Sequence, residues 1–578
     1  MTPNLIGIDW VILGVYFAAC FVVGLYYAKR ASKDIDEYFV GGRSLAWWLV
    51  GTSMVATTFS ADTPLAVTGL VAKYGIAGNW LWWCLVASGT LSTFFFAPLW
   101  RRAEVLTDIE LNEKRFSGPE AGFLRGFRAI YSGVIANSIT MGWVMLAMAK
   151  IFAVAFGWPQ VTSLVVSCGV TLIYTLMSGY LGVVATDFFQ FIIAMAGAIV
   201  LAIYAVDHVG GIDLLTTKLD QIYGADKRIL DFFPGADSAW MPLSLFFIHI
   251  GVQWWSSSTV VGSGYLAQRM ASCRDEKEAI YATLWFAIAH YTLRSWPWIV
   301  AALASMVIFP NLPDAESGYP KLIFETLPPG LRGLLVTSFL AAFMSTLTTH
   351  LNWGSSYMLN DFYRRFVRRD ASMQHYVRMA RLFTLILMIT GSLASLFMSE
   401  ISGVWKFIIT LEGGIGLLYI AKWYWWRVNP WSEISCMLAA ATTSISIMLL
   451  TDWGFGPRLV VTVAVATTTW ITVTLLTKPS DERTLLEFYA KTRPGYLLWK
   501  PIADRLGIGP QEGDMAYRLC AWLMSTAMIY LSLFGVGKLI FRDYTSALLC
   551  LSGAVLTAIA TCYCIDRLQH KPAATALP

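Results

Sequence analysis

The sequence predicts an all-α polytopic membrane protein of about 15 transmembrane helices, and three observations predict it. Of its 578 residues 57% are hydrophobic and only 14% charged, where a soluble domain carries about 25% charged residues. Mean hydropathy is +0.58. Fifteen separate stretches are apolar over about 20 residues, enough to cross a hydrocarbon core of about 30 Å as a helix. This composition excludes a soluble enzyme, a disordered chain and a nucleic-acid binder. The lipid bilayer is the expected surrounding, and the net charge of +5 bears on topology through its placement.

The first stretch, 8–28, follows an uncharged N-terminal segment and precedes Lys29, Arg30 and Lys33, the reverse of the charge order in a cleavable signal peptide. It is expected to stay, with the N-terminus outside. The next five stretches are 45–72, 76–98, 128–156, 160–179 and 183–206; then come 240–263, 279–309, 331–360, 378–398 and 403–426. Four more close the chain at 432–451, 457–477, 517–540 and 544–566. With sides alternated from the first, most of the 42 Lys and Arg fall in inside segments, as the positive-inside rule requires. An odd number of crossings places Arg567 and Lys571 in the cytoplasm. Residues 478–516 hold Pro479, Pro494, Pro501 and Pro510 among mixed charges and read as a cytoplasmic loop with short helices, too small for a catalytic domain. The expected location is the plasma membrane, the inner membrane in a bacterium. The nine cysteines show no metal-ligand spacing and read as small buried apolar residues.

Irregular backbone at membrane depth is tolerated only where it is buried in protein or lines a cavity. The second stretch contains Ala56-Thr57-Thr58-Phe59-Ser60-Ala61-Asp62-Thr63-Pro64. Proline lacks an N–H and pushes the preceding residue out of the α region, so the helix is expected to unwind just before Pro64 and leave carbonyls free for a cation; a plain proline kink is the alternative. In the ninth stretch Ser345, Thr348 and Thr349 share one helical face, and Thr346 lies about 100° around from Ser345. Hydroxyls and carbonyls are hard, neutral ligands suited to an alkali cation that must leave again, although small polar residues also favour close helix packing.

Charges inside apolar stretches need partners. Asp187 is costly in hydrocarbon unless it faces a cation or a cavity. Arg294, with His290 one turn earlier, requires a carboxylate, carbonyls or an anionic ligand. Glu412, before Gly413-Gly414, and Asp62 are its candidate internal partners; a solute is the other. Most tryptophans read as interface belt. Among motifs of enzyme chemistry, no GxGxxG or P-loop follows a predicted strand, and neither HExxH nor a nucleophile elbow occurs, so no enzyme is expected.

Several ordered motifs carry a family resemblance: Tyr38-Phe39-Val40-Gly41-Gly42-Arg43, Ser60-Ala61-Asp62, Thr107 to Phe116, Ser178-Gly179 with Thr186-Asp187 to Gln190, and Gly264-Tyr265-Leu266-Ala267-Gln268-Arg269. The strongest is Ala341-Ala342-Phe343-Met344-Ser345-Thr346-Leu347, followed by Asn360-Asp361-Phe362-Tyr363. Over roughly residues 8–430 the chain resembles the sodium:solute symporter family, which includes sodium/glucose, sodium/proline and sodium/sialic acid symporters. The resemblance implies a five-plus-five inverted-repeat (LeuT-like) core, with broken helices meeting at the midplane. Residues 1–44 would form the first helix and an inside loop, 45–206 the first repeat, 207–239 an outside loop and 240–430 the second repeat. Residues 431–578 would add four accessory helices around the 478–516 loop.

Carried over by position, the family's shared sodium site implies the carbonyls of Ala56, Phe59 and Ala342 with the hydroxyls of Ser345 and Thr346. A second sodium site of some members implies Asp187 with Ser345, Thr348 and Thr349. Tyr265 matches the aromatic that closes the inner side of the solute pocket in sugar carriers. The pocket itself departs from the sugar-carrier pattern, which has longer Glu and Gln side chains at the positions of Asp62 and Thr63 and an aromatic at that of Pro64. Asp62, Thr63, Asn79, Gln253, Ser263, Arg294 and Glu412 are the candidate solute-facing groups. The expectation is a secondary active symporter that imports a small polar organic solute, sugar-like or carboxylate-bearing, with two sodium ions by alternating access. Rivals are a proton-coupled carrier using Asp187 or Asp62, and a solute sensor that retains the transporter fold.

Overall fold

The structure, a computed structural model, describes residues 5–31, 41–224, 228–236, 238, 241–509 and 514–569. Tyr38, Phe39 and Val40 of the first motif, Lys33, Pro510 and Lys571 lie outside the described residues. The described chain is helical, apart from an isolated bridge between Leu45 and Cys273.

The first half comprises α1 (Gly7–Ala31), α2 (Trp47–Thr58), α3 (Asp62–Tyr74), α4 (Ile76–Ala103), α5 (Pro119–Phe156), α6 (Gln160–Leu176) and α7 (Gly182–Val209). The short α8 (Ile212–Tyr223) and α9 (Leu243–Ile248) lead into α10 (Tyr265–Ser272), α11 (Glu276–Ile288), α12 (Ser295–Ile308) and α13 (Gly318–Thr326). Then follow α14 (Leu331–Val367), α15 (Met373–Ser395), α16 (Ile401–Leu411), α17 (Ile415–Tyr424), α18 (Pro430–Leu450), α19 (Phe455–Leu476), α20 (Glu482–Thr492), α21 (Met515–Ile540) and α22 (Tyr544–Gln569).

Nine of these, among the described residues, are long and apolar enough to cross a membrane unaided: α4, α5, α7, α14, α15, α18, α19, α21 and α22. The pair α16–α17 makes a tenth span bent by 46°. The expected spans at 8–28 and 160–179 contain shorter apolar helices, Gly7–Cys20 and Gln160–Leu176. Those at 45–72, 240–263 and 279–309 are interrupted, and each interruption has a local cause. Between α2 and α3 the break covers Phe59, Ser60 and Ala61. The helix resumes at Asp62, two residues before Pro64, so the break lies earlier than the expected position just before the proline. Pro64 occupies the first turn of α3, where the N–H has no intrahelical partner to lose.

After α9 the chain makes a π turn at His249–Gln253, extends at Ser257, and passes through Gly262 and Gly264 at φ +64° and +71° before α10. A Cβ at Gly264 would add left-handed strain of about 1–2 kcal/mol. Between α11 and α12 another π turn, Ala289–Leu293, delivers Arg294. Such a turn inserts one residue and re-aims the helix beyond it.

Burial places α14 at the centre and the last helices at the rim. The apolar window of α14 is 94% buried, that of α22 only 22%. The N-terminus of α14 is capped from another helix: Asp9 of α1 accepts from the Gly330 and Gly333 amides at 2.7 and 2.8 Å, which satisfies donors that the helix cannot. Between Tyr174 and Thr186 the helical chain departs from a straight course. Tyr174 Oη reaches the Gly182 carbonyl at 3.2 Å and the Thr186 hydroxyl at 2.7 Å, groups about 12 and 18 Å further along a straight helix.

Candidate functional site

Where α2 ends, its last carbonyls meet α14. Thr346 Oγ1 lies 2.7 Å from the Thr57 carbonyl and 3.1 Å from that of Ala342, while the Phe59 amide, at the break, donates to Val55 and Ala56. Thr346 and Ala342 of α14 thus meet the end of α2 at the Thr57 carbonyl, next to Ala56 and two residues before Phe59, while the adjacent Ser345 turns its hydroxyl to Asp187. The sequence motifs did not single out the Thr57 carbonyl. The donors are neutral oxygens, the ligand type of a weakly held alkali cation.

One turn away, Asp187 of α7 is wholly buried. It accepts from Ser345 Oγ at 2.6 Å and from Ser53 Oγ. Arg269 of α10, itself buried, brings Nη2 to 3.5 Å from this carboxylate. Its guanidinium donates to Ser53 at 3.0 Å, Thr57 at 3.0 Å and Thr349 at 2.7 Å. Asp187 thus bonds Ser345 directly and is connected to Thr349 through Arg269. Thr348 turns its hydroxyl back to the Ser345 carbonyl at 3.0 Å, and a protein cation stands among the group. In the sequence Arg269 stands out only as the end of a motif; the signal available was that Asp187 needs a cation, and nothing local chose which.

A cavity of about 390 Å³ adjoins these oxygens and includes Thr346 in its wall. Five of the helix interruptions open onto it. The α2–α3 break supplies Ser60, Asp62 and Thr63, and the break before α10 supplies Ser258, Ser263 and Tyr265. The π turn before α12 supplies His290 and Arg294, and the α16–α17 bend supplies Glu412. A further π turn in α5, Tyr131–Ala136, contributes Ser132 and Ala136. Trp82, Trp143 and Trp405 complete the wall.

Arg294 Nε donates to the His290 carbonyl at 3.0 Å and Nη1 to Thr58 Oγ1 at 3.1 Å, and Nη2 lies 2.7 Å from His290 Nε2. Its face lies 5.2 Å from the Trp298 ring centroid. Neither expected carboxylate pairs with it. Asp62 Oδ1 is buried without a hydrogen-bond partner, and Glu412 accepts from Ser258 at 3.0 Å. Asn79 and Gln253 are not brought to the cavity. Asn79 donates to the Ile76 carbonyl and accepts from Trp82 Nε1 at 3.0 Å, and Gln253 donates to the Leu81 carbonyl at 2.6 Å. Both hold wall residues from behind. Ser263 lines the cavity with its hydroxyl turned to the Ser258 carbonyl at 2.8 Å. Tyr265 packs between His350 and Trp353 at 5.5 and 6.4 Å between ring centroids.

A charged network borders the cavity through Asp108 and Arg128. Asp108 accepts from Tyr357 Oη and from the Gly264 amide at 3.1 Å, and Arg128 lies 3.6 Å from it. Glu433, on α18, pairs with Arg128 at 3.0 Å and with Lys422 at 2.9 Å. Four buried charges, two of each sign, tie α5, α17 and α18 to the loop after α4.

Comparison with known proteins bears on the family and the fold. The model of the sodium:solute symporter family matches residues 38–439. A sodium/mannose cotransporter of Bos taurus is 27% identical over 66% of this chain and 67% of its own. The osmoregulated proline transporter of Bacillus subtilis is 27% identical over 75% and 87%, and a sodium/glucose cotransporter of Vibrio parahaemolyticus 24% identical over 75% and 83%. These relatives are transporters, not enzymes. Among solved structures, the substrate-bound outward-open state of a Na+-coupled sialic acid symporter superposes with a TM-score of 0.67 at 21% identity, covering 82% of this chain and 98% of that one. A nucleobase-cation-symport-1 family transporter in a closed conformation gives 0.51 at 13% identity, covering 78% and 98%. With the family model spanning most of the chain and the fold shared with these transporters, this multi-pass membrane protein belongs to the sodium:solute symporter family.

Proposed function

We propose that this chain imports a small polar organic solute with sodium across the plasma membrane, the inner membrane of a bacterium, by alternating access. The observation that supports this reading is the convergence of five helix interruptions on one cavity, with a hydroxyl–carbonyl cluster against its wall. Interrupted helices expend backbone hydrogen bonds, and the return is free polar groups at a binding site. Sodium at Ala56, Phe59, Ala342, Ser345 and Thr346 would hold the end of α2 against α14 and so shape the cavity wall at Asp62 and Thr63. The N-terminus is placed outside and the C-terminus in the cytoplasm. The Asp108–Arg128–Glu433–Lys422 network then lies on the cytoplasmic side and opens as the solute leaves inward. The expected repeats, 45–206 and 240–430, supply one interrupted entry helix each.

The second ion is sequential in this reading. Arg269 meets the charge of Asp187 in the present arrangement, and sodium binds at Asp187, Ser345 and Thr349 only once the guanidinium withdraws. A tenfold sodium gradient gives about 1.4 kcal/mol and 100 mV about 2.3 kcal/mol per charge. One ion therefore supports about 400-fold accumulation of a neutral solute, and two roughly 10⁵-fold.

Sodium against potassium titration of the purified protein, followed by tryptophan fluorescence and thermal stability, tests ion binding without knowledge of the solute. A saturable sodium-specific response that is lost in Thr346→Ala supports the reading. Uptake into liposomes driven by a pH gradient without sodium would overturn it in favour of proton coupling.

A further inference from the structure

We infer that the solute is a zwitterion, its carboxylate held by Arg294 and its cationic group by Asp62 and Glu412. This deepens the proposed function and rests on the cavity being the solute site. Arg294 is 2% exposed, and its three hydrogen-bond partners, the His290 carbonyl, the Thr58 hydroxyl and a His290 ring nitrogen, carry no negative charge. A guanidinium has five N–H groups, so one on Nη1 and one on Nη2 remain to donate, and guanidinium N–H groups are the donors that best match a carboxylate. Burial of an uncompensated cation is costly, and this one lines the cavity.

The acidic groups of the cavity show the complementary deficiency. Asp62, 2% exposed, has a buried oxygen with no partner, and Glu412 has one hydroxyl donor, Ser258. Trp82, Trp143, Trp405 and Tyr265 surround them with aromatic faces of the kind that attract ammonium groups.

The charge balance selects net neutrality. Asp187 and Arg269 offset one another, and so do the two acids and two bases of the bordering network. Arg294 together with one sodium ion at Thr346 then offsets Asp62 and Glu412. A solute without net charge leaves this balance intact, whereas an anion or a cation disturbs it. A polyol is also neutral but gives Arg294 no negative charge, so the unpaired cation stays unpaired.

The test titrates the purified full-length protein, in sodium and in potassium, with the standard amino acids, glycine betaine, glucose, acetate and choline, and with the amides of those amino acids that bind. Tryptophan fluorescence reports binding. The expected result is a saturable, sodium-dependent response to a zwitterion, with affinity at least about 100-fold weaker for its amide. Arg294→Gln should weaken the zwitterion by a similar factor, leave the amide unchanged and leave the sodium response intact, a combination that a structural role would not produce. Where Arg294→Gln does not fold, the zwitterion–amide pair on the unmodified protein decides alone. A saturable response to glucose, acetate or choline that exceeds every zwitterion, or no zwitterion response beside an intact sodium response, overturns the inference while the proposed function stands. Loss of the sodium response itself would overturn the proposed function instead.

Discussion

Replacing Arg269 by glutamine separates the protein's own cation from the cargo. The guanidinium holds Ser53, Thr57 and Thr349 at 2.7–3.0 Å and stands 3.5 Å from Asp187. Arg269→Gln leaves that carboxylate buried with two hydroxyl donors, Ser53 and Ser345. Breaking a buried pair by removing one partner costs about 3–5 kcal/mol, and this is the expected loss of stability in potassium. Sodium bound at the vacated position returns about 2.7 kcal/mol at a concentration one hundred times its dissociation constant. The deficit against the parent protein should therefore shrink to roughly 0.3–2.3 kcal/mol in sodium. The Hill coefficient for sodium should rise from about one towards two. Thermal and denaturant unfolding in detergent, run in matched sodium and potassium series, measures both quantities. The same stability deficit in both salts, with an unchanged Hill coefficient, would refute the idea that Arg269 and sodium compete for Asp187.

Thr346→Ala removes a hydroxyl that lies between the Thr57 and Ala342 carbonyls; sodium affinity read by fluorescence should fall about tenfold or more, with the Asp187 cluster undisturbed, since an ordinary hydrogen bond is worth about 0.5–1.5 kcal/mol and one to a charge more. Ser345→Ala should be more damaging than Thr346→Ala in the same titration, because Ser345 is the hydroxyl donor to Asp187 as well as a neighbour of Thr346. Glu433→Gln leaves Lys422 and Arg128 without their closest carboxylate and should cost about 3–5 kcal/mol, read as a lower unfolding midpoint and lower yield in the membrane. Gly416→Ala places a Cβ 2.0 Å from the Trp255 carbonyl and 2.5 Å from that of Ser257. Backbone cannot yield cheaply there, so the α16–α17 bend should separate from the break before α10, with transport lost or the chain misfolded, as tracked by uptake and by size-exclusion profile.

Much of the site was legible because membrane burial makes polar residues conspicuous. Asp187, Arg294, Ser345 and Thr346 stand out against apolar runs, and the hydroxyl-rich segment ending in Pro64 announces an interruption even though it falls at Phe59–Ala61. What stayed hidden were pairings. Asn79 and Gln253 are as polar as Asp62 and Thr63, yet they face backbone behind Leu81 and Trp82. Arg269 lies more than 80 residues from Asp187 in sequence, at the end of a short polar helix that reads as a loop flank.

The amino-acid sequence by itself determined that the chain lives in a bilayer, where its apolar stretches lie and which of them carry groups too costly to face lipid, because the transfer energy of a side chain is a property of its composition. Only the tertiary structure decided which partner each of those groups takes: Arg269 beside Asp187, no carboxylate within ion-pair distance of Arg294 among the described residues, and one cavity shared by five interruptions. Electrostatic and hydrogen-bond energies depend on separations of a few ångströms, and those separations between distant segments are set by how the helices pack.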